Sequence, residues 1–363
     1  MYSRNFFLTV TLLFIPCFLG LFNSHTLQAV DQKQRYKKIV KIESRQRPVI
    51  PDKGRVRMTH IRDARGDIVG IEYFRNHQRY VNIGDKEFPV VDVNHILVSS
   101  DRQVILKYGQ AGEIHTEYKT DLYWYNADGK LVNKIAGKYG YLRVAMSPDG
   151  YVVICGKERD KKGTAITIFD RRGSVMTPSF PMPPPRACFG IAISKGGASV
   201  AVLTVKSSGN WDKKADLEIY THKGRRRILA NGIKYPQGLF LSRDGKYLLV
   251  PGKKKAVLAD FTSRRLLWTH SRFLRMANRY AFDIDKDRNL VLLNTVSLDT
   301  KKPQKGRLAL ILLSLTKGMK VLEKLMPEIM IPGMPRAFID PEGKLLIRTD
   351  RKDYRFKIEE DQK

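Results

Sequence analysis

Acidic residues are scarce in this chain relative to basic ones. The 363 residues include 66 Lys and Arg but only 36 Asp and Glu, so the formal net charge is +30 at pH 7. A charge of this size bears on partners and solubility rather than on fold. It predicts polyanionic partners, and the alternative is a basic surface that only keeps the protein soluble.

Long apolar runs are absent after residue 29. Before it, Arg4 precedes an apolar run over 6–22, and a polar stretch then ends at Ala29. This order of basic residue, apolar core and small residue is typical of a secretory signal peptide, so we expect cleavage after Ala29. An uncleaved membrane anchor is the alternative. A lipid anchor on Cys17 is disfavoured because Pro16 precedes it.

The predicted location is therefore outside the cytoplasm, in a periplasm or secreted. No Asn-x-Ser/Thr acceptor occurs, which favours a bacterial source. After residue 29 the chain has only Cys155 and Cys188, which either pair in an oxidising compartment or remain as buried thiols.

Catalytic and metal-binding signatures are missing too. The chain has no Gly-x-Ser-x-Gly, no His-Glu-x-x-His, no Cys-x-x-Cys and no Gly-rich phosphate loop. We therefore predict no cofactor, no metal and no catalytic residue, and we favour a binding or scaffold protein.

A repeat is present instead. Residues 141–155 read as a strand, the turn Ser147-Pro148-Asp149-Gly150, and a second strand. Related turns recur at 63–66, 99–102, 194–197, 242–245, 285–288 and 340–343, and each unit has room for a second hairpin. Four short strands at a period of about 40–50 residues predict an all-β propeller. Seven blades are favoured and six remain open.

These turns and four-strand units resemble the bacterial WD-repeat-like propellers, including the propeller part of TolB-type periplasmic proteins, over most of residues 56–358. The resemblance implies architecture and not activity, because the Gly-His and Trp-Asp pairs of true WD repeats are absent. We expect a signal peptide at 1–29, a basic N-terminal arm at 30–55 and a propeller at 56–363. A strand near 39–42 of the arm is expected to close the ring with the last unit.

Several innermost strands are expected to begin with an arginine at the channel mouth. Guanidinium groups converging there would bind phosphate or carboxylate in a bidentate manner. The predicted anion-binding residues are Arg143, Arg186, Arg279, Arg336 and, at the equivalent place of another blade, Gln237. Pairing with acids of neighbouring blades is the alternative.

Loops on the same face add further basic and apolar residues. The basic loop residues are Lys157, Lys161, Lys162, Lys253, Lys254, Lys255, Lys301 and Lys302. Two Pro- and Met-rich loops predict partner-docking positions at Phe180, Met182, Met330 and Met334. Packing of these loops against the blades is the alternative.

The composite prediction is an exported binding or scaffold protein with a basic propeller face. Its expected partner is an anionic envelope polymer or lipid, or an acidic protein, and peripheral contact with a membrane is included. Cytoplasmic nucleic acid does not fit an exported protein. The alternative is a lactonase-like propeller hydrolase with carboxylates such as Asp283 near the channel.

Overall fold

A computed structural model describes residues 36–46, 59–64, 67–75, 78–84, 86–90, 95–111, 119–158, 163–183, 186–206, 214–253, 255–270, 282–297, 307–326, 336–340, 342–348 and 352–360. Within these ranges the only helical segment is a single 3-10 turn at Lys195–Gly197. No helix in them has the length and apolar character needed to cross a bilayer. The predicted signal peptide lies outside the described residues.

The described chain consists mainly of β-strands. The first nine are β1 (Tyr36–Gln46), β2 (Thr59–Arg62), β3 (Ile68–Arg75), β4 (Gln78–Ile83), β5 (Lys86–Val90), β6 (His95–Val98), β7 (Val104–Ala111), β8 (Lys119–Asn126) and β9 (Leu131–Met146). The next nine are β10 (Val152–Glu158), β11 (Ala165–Phe169), β12 (Phe180–Pro181), β13 (Arg186–Ile193), β14 (Ser199–Lys206), β15 (Lys214–Thr221), β16 (Arg226–Lys234), β17 (Phe240–Leu241) and β18 (Tyr247–Val250). The last nine are β19 (Ala256–Asp260), β20 (Arg265–His270), β21 (Phe282–Asp285), β22 (Leu290–Ser297), β23 (Arg307–Ser314), β24 (Lys320–Met326), β25 (Arg336–Ile339), β26 (Leu345–Arg348) and β27 (Lys352–Glu360).

These strands form six antiparallel sheets. Five have four strands, in the orders β2-β3-β4-β5, β13-β14-β15-β16, β17-β18-β19-β20, β21-β22-β23-β24 and β25-β26-β27-β1. The sixth has seven strands, β6 to β12 in chain order. The prediction of an all-β, propeller-like protein built from four-stranded units is confirmed at this level.

One long strand explains the seven-stranded sheet. The first part of β9 pairs with β8 and its last part pairs with β10, so two four-stranded halves share it. The repeat pattern predicts two separate strands in this region. The structure joins them into one strand that pairs with both β8 and β10, and residues 131–146 contain no proline or tight turn that would prevent this.

The serine of the repeated turn forms hydrogen bonds that stabilise the turn. Ser147 is fully buried, and its Oγ accepts a hydrogen bond from the backbone N–H of Tyr151 at 2.9 Å while donating to Asp149 Oδ1 at 2.6 Å. The hydroxyls of Ser99, Ser194 and Ser242 also accept from the backbone N–H that starts the next strand. Each turn thereby satisfies a donor that would otherwise be buried without a partner.

The middle strands of the sheets are buried on both faces. In β10, Val152 and Ile154 pack into one apolar cluster, whereas Val153 and Cys155 pack into another that also contains residues of β13 and β14. Strands β14, β18 and β22 divide their alternate residues between two clusters in the same way. Each sheet from β6 onward is therefore fastened to the next along the chain by a shared core.

The N-terminal strand completes the last sheet. β1 pairs antiparallel with β27, with Ile39 opposite Ile358. Ile39 is 5% exposed and packs among residues of β22, β26 and β27, and its carbonyl oxygen accepts a hydrogen bond from Lys324 Nζ at 3.0 Å. Strand β1 thus belongs to the core that joins the last two sheets.

We expect Ile39→Ala to lower the free energy of unfolding by about 2–4 kcal/mol, because it removes buried methyl groups and leaves a cavity. Ile228→Ala is the matched control, since Ile228 is 42% exposed on β16. Urea unfolding measures both. Equal losses in the two variants would contradict the assigned place of β1 in the core.

Candidate functional site: a basic end of the sheets

The first hairpin turns of neighbouring sheets lie together at one end of the sheets, which we name the turn end. Gly196 N donates to Asp149 Oδ2 at 2.9 Å, and Ser100 N donates to the Pro148 carbonyl at 2.7 Å. Antiparallel pairing places the loops between second and third strands at the opposite end, which we name the loop end.

Basic residues occupy many of the strand termini at the loop end, although β10 ends there at Glu158 and β18 at Val250. The basic termini are Arg75 in β3, Lys119 in β8, Arg186 in β13, Lys206 in β14, Lys214 in β15, Lys234 in β16, Arg307 in β23, Arg336 in β25, Arg348 in β26 and Lys352 in β27. Sequence reasoning identified only Arg186 and Arg336 of this set. The shared signal was present in the sequence as a basic residue at the edge of several β-rich runs.

Some of these residues stand directly opposite one another across paired strands. The register pairs Arg186 with Lys206, Lys214 with Lys234, and Arg336 with Arg348. Like charges directly opposite in an antiparallel pair are destabilising. Of these residues, Lys214 and Lys234 are both exposed, so their like charges stand opposite each other at the loop end.

Carboxylates are concentrated at the turn end, where they serve the backbone. Asp170 Oδ1 accepts from the backbone N–H of Arg172 and of Ser174. Asp340 Oδ1 accepts a hydrogen bond from the backbone N–H of Lys344, and Asp244 Oδ1 accepts one from the backbone N–H of Lys246. Local capping therefore keeps these acids away from the basic residues of the loop end.

The anion-binding residues predicted at the channel mouth lie only partly within the described residues. Arg143 is exposed on β9 opposite Cys155, and no ion-pair partner for it occurs in the described ranges. Arg336 begins β25, and its side chain and the whole of Arg279 lie outside what the structure describes. Gln237 is exposed, and its backbone N–H donates to the Pro251 carbonyl at 2.9 Å. Convergence of these residues on one anion stays a prediction.

Arg186 is held by an internal carboxylate. Its guanidinium forms an ion pair with Glu218, which is fully buried, and lies 3.7 Å from Asp216. Arg226 binds the same carboxylate through two nitrogens, at 2.7 and 2.9 Å. Sequence reasoning missed this cluster.

The Glu218 carboxylate is fully satisfied by its neighbours. Besides the two guanidinium groups it accepts hydrogen bonds from Thr204 Oγ1 at 2.9 Å and from the Tyr220 hydroxyl at 2.7 Å. Burial raises the pKa of Tyr220 despite the two nearby arginines. This cluster ties β13, β14, β15 and β16 together and is structural.

Only some residues of the predicted basic loops are described. Lys157 is exposed near the end of β10. Lys253 Nζ lies 5.2 Å from the centre of the Tyr235 ring, and Lys255 Nζ donates to the Asn231 carbonyl at 3.3 Å. Lys161, Lys162, Lys254, Lys301 and Lys302 lie outside the described residues.

The described residues of the Pro- and Met-rich loops pack inward. Phe180 stacks on Tyr220 with ring centres 5.4 Å apart, and Met182 is 3% exposed. Met182 therefore packs between sheets instead of facing a partner. Met330 and Met334 lie outside the described residues.

The cysteines are free thiols beside Met182. Cys155 Sγ lies 3.2 Å from Met182 Sδ, and contact with the Cys188 thiol together with burial raises the pKa of Cys155 well above its ordinary value. Among the described residues, no group of three His, Cys, Asp or Glu side chains is placed to hold a metal ion.

Asp283, the carboxylate of the hydrolase alternative, joins two sheets. Its Oδ2 accepts the backbone N–H of Ile339 on β25 at 3.0 Å, and its Oδ1 accepts that of Ile284 at 2.9 Å. Burial raises the pKa of Asp283 to about 6, against the lowering effect of these two hydrogen bonds. The carboxylate thus acts as a link between β21 and β25.

Fold and site together define an all-β, propeller-like protein with a basic loop end. No protein-family model matches the chain, and no curated protein matches it. Among the solved structures that match is hydrazine synthase of Kuenenia stuttgartiensis, with a TM-score of 0.44 and 18% identity over 70% of this chain and 73% of that chain. At this level of similarity the match carries no information on function.

We expect Glu218→Gln to lower the free energy of unfolding by about 3 kcal/mol, since it removes the buried negative charge that two partly buried guanidinium groups share. Glu323→Gln is the control, because Glu323 pairs with Lys320 at an exposed site where an ion pair contributes under about 1 kcal/mol. Urea unfolding of both variants measures the difference. Equal losses would contradict a structural role for the cluster.

The raised pKa of Asp283 predicts that the stability of the protein depends on pH. Because its folded pKa of about 6 exceeds the ordinary aspartate value of 3.8, the folded state binds the proton more tightly than the unfolded state does. The protonated Asp283 therefore contributes its full stabilisation of the folded state below about pH 4. This contribution is lost as the pH rises from about 4 through 6, and the total loss is up to about 3 kcal/mol. Relative to the parent, Asp283→Asn should gain stability between pH 4.5 and pH 7 in urea unfolding. A constant difference across that range would contradict the prediction.

Proposed function

We propose that the protein is an exported, non-catalytic binding protein whose loop end binds an anionic polymer or lipid of the cell envelope. The observation that carries the proposal is the pairing of Lys214 with Lys234, two exposed lysines that stand directly opposite each other at the loop end. Two like charges placed opposite each other lower the stability of the free protein. A polyanion bound between them would be attracted to both charges.

The charge balance supports the same function. With a net charge of +30, the basic side chains outnumber the acidic ones so far that internal pairing leaves a large excess. Several described acids are already engaged at the turn end, as in the Asp101 pair with Arg171 and the Asp128 pair with Lys86. The excess therefore favours an extended anion with repeated charges over a single small ligand.

The finer architecture that we propose is a closed ring of seven four-stranded blades. The two halves of the sheet from β6 to β12 count as two blades, and β1 closes the ring in the blade of β25–β27. Shared cores link consecutive sheets, as expected for such a ring. In a closed ring, Ile39→Ala should shift a single unfolding transition of the whole chain, whereas an early separate transition of the last sheet would contradict closure.

Binding to polygalacturonate and to lipopolysaccharide tests the function. We expect the affinity to fall steeply as salt rises, and the double variant Lys214→Ala/Lys234→Ala to bind at least about tenfold more weakly, at about 1 kcal/mol for each basic residue near an anionic surface. In low salt this variant should be as stable as the parent or more stable, because it removes an opposed pair of like charges.

The matched control is Lys223→Ala/Arg225→Ala, which removes two exposed charges from the turn end of the same hairpin, β15–β16. It should keep most of the affinity. An Arg143→Ala variant tests the predicted arginine site separately. Equal losses in both double variants would reject a site at the loop end, and tight binding of an acidic protein that persists in high salt would favour the scaffold alternative.

A further inference from the structure

Three sulfur atoms meet between two neighbouring sheets. Cys155 lies on β10, Met182 follows β12, and Cys188 lies on β13 of the next sheet. Cys155 Sγ is 3.2 Å from Met182 Sδ, and Cys188 packs against the same cluster, where its Sγ donates to the Gly190 carbonyl at 3.6 Å. All three side chains belong to one apolar cluster.

The surroundings of the three sulfurs are those of an enclosed site with one open side. Cys155 is 1% exposed and Met182 is 3% exposed, whereas Cys188 is only partly buried. The neighbouring side chains include Ile166, Ile191 and Phe180, which offer no oxygen or nitrogen ligand, and Tyr220, whose hydroxyl donates to Glu218 at 2.7 Å. An ion would therefore enter past Cys188 and meet the sulfur atoms, because the Tyr220 hydroxyl is already engaged.

The ligand atoms of the site, all sulfur, indicate which metal ion it would bind. Two thiolates and a thioether are soft ligands, which favour Cu(I) and disfavour the oxygen-binding ions Mg²⁺ and Ca²⁺. Structural Zn²⁺ requires four nitrogen, sulfur or oxygen ligands, and the described residues around the cluster supply three sulfurs. Three soft donors, on β10, on β13 and just after β12, suit a three-coordinate monovalent ion.

We propose that Cys155, Met182 and Cys188 together bind one Cu(I) ion. Binding forms two copper–thiolate bonds and one copper–thioether bond, and it releases the two thiol protons to solvent without any change of oxidation state. The site links β10 to β13, so the bound ion also fastens two neighbouring sheets. The proposal is independent of anion binding at the loop end.

Titration of the reduced protein with Cu(I), kept reduced by ascorbate and in competition with the chelator bicinchoninate, tests this site. Every protein carries Cys17→Ser, so that the only thiols are those of the site. We expect one tightly bound ion per chain and the ultraviolet absorption of copper–thiolate bonds. Bound Cu(I) should also raise the unfolding midpoint, since it binds the folded state.

Variants of the three sulfur residues distinguish a loss of Cu(I) binding from a loss of stability. Met182→Leu conserves volume and should keep the stability of the copper-free protein while weakening Cu(I) binding by about tenfold or more. Cys155→Ala and Cys188→Ala should each abolish tight binding. Met176→Leu, at a methionine that is 40% exposed, is the control and should change nothing.

Several outcomes would overturn the proposal. They are the absence of Cu(I) binding by the folded parent, equal affinity in the parent and either Cys→Ala variant, and unchanged affinity in Met182→Leu. Isolation of the protein with Cys155 and Cys188 in a disulfide that resists reductant would also overturn it, because the two thiolates would then not be available.

Discussion

The structure depends on the burial of its middle strands on both faces. Antiparallel sheets commonly leave one face in water, and their strands then alternate between apolar and polar residues. Here β10 places Val152 and Ile154 on one side and Val153 and Cys155 on the other, and all four are buried. A sheet of this kind is stable only between two neighbours, so each sheet depends on the next.

Much of the fold could be predicted from the sequence because turn chemistry is local. The Ser147-Pro148-Asp149-Gly150 turn and its copies identify hairpins through contacts that span only a few residues, as the hydrogen bond from Tyr151 N to Ser147 Oγ illustrates. The continuous strand β9 could not be predicted in this way. Whether residues 131–146 form one strand or two is decided by its partners β8 and β10, not by the residues themselves.

The candidate site was harder to predict because it depends on register. Arg186 was identified as an anion-binding residue from its place at the start of a strand, and its partner Glu218 lies on β15, two strands away in the same sheet. The register shifts once between Cys188 and Gly190 in the pairing of β13 with β14, which no local pattern indicates. A shift of one residue moves a side chain to the other face of a sheet, so sequence alone does not decide whether an arginine faces an acid or the solvent.

Turn chemistry also explains where many of the acids lie. A tight turn requires a short acceptor such as Asp149 or Asp244, which holds the carboxylates at the turn end. The longer connections at the opposite end carry no such requirement, so lysines and arginines can stand at the strand termini there. Acidic turn residues recur at Asp101, Asp149, Asp244, Asp285 and Asp340. The turns therefore decide where these acids lie, and the opposed pair of Lys214 and Lys234 at the other end adds a repulsion that folding alone does not require.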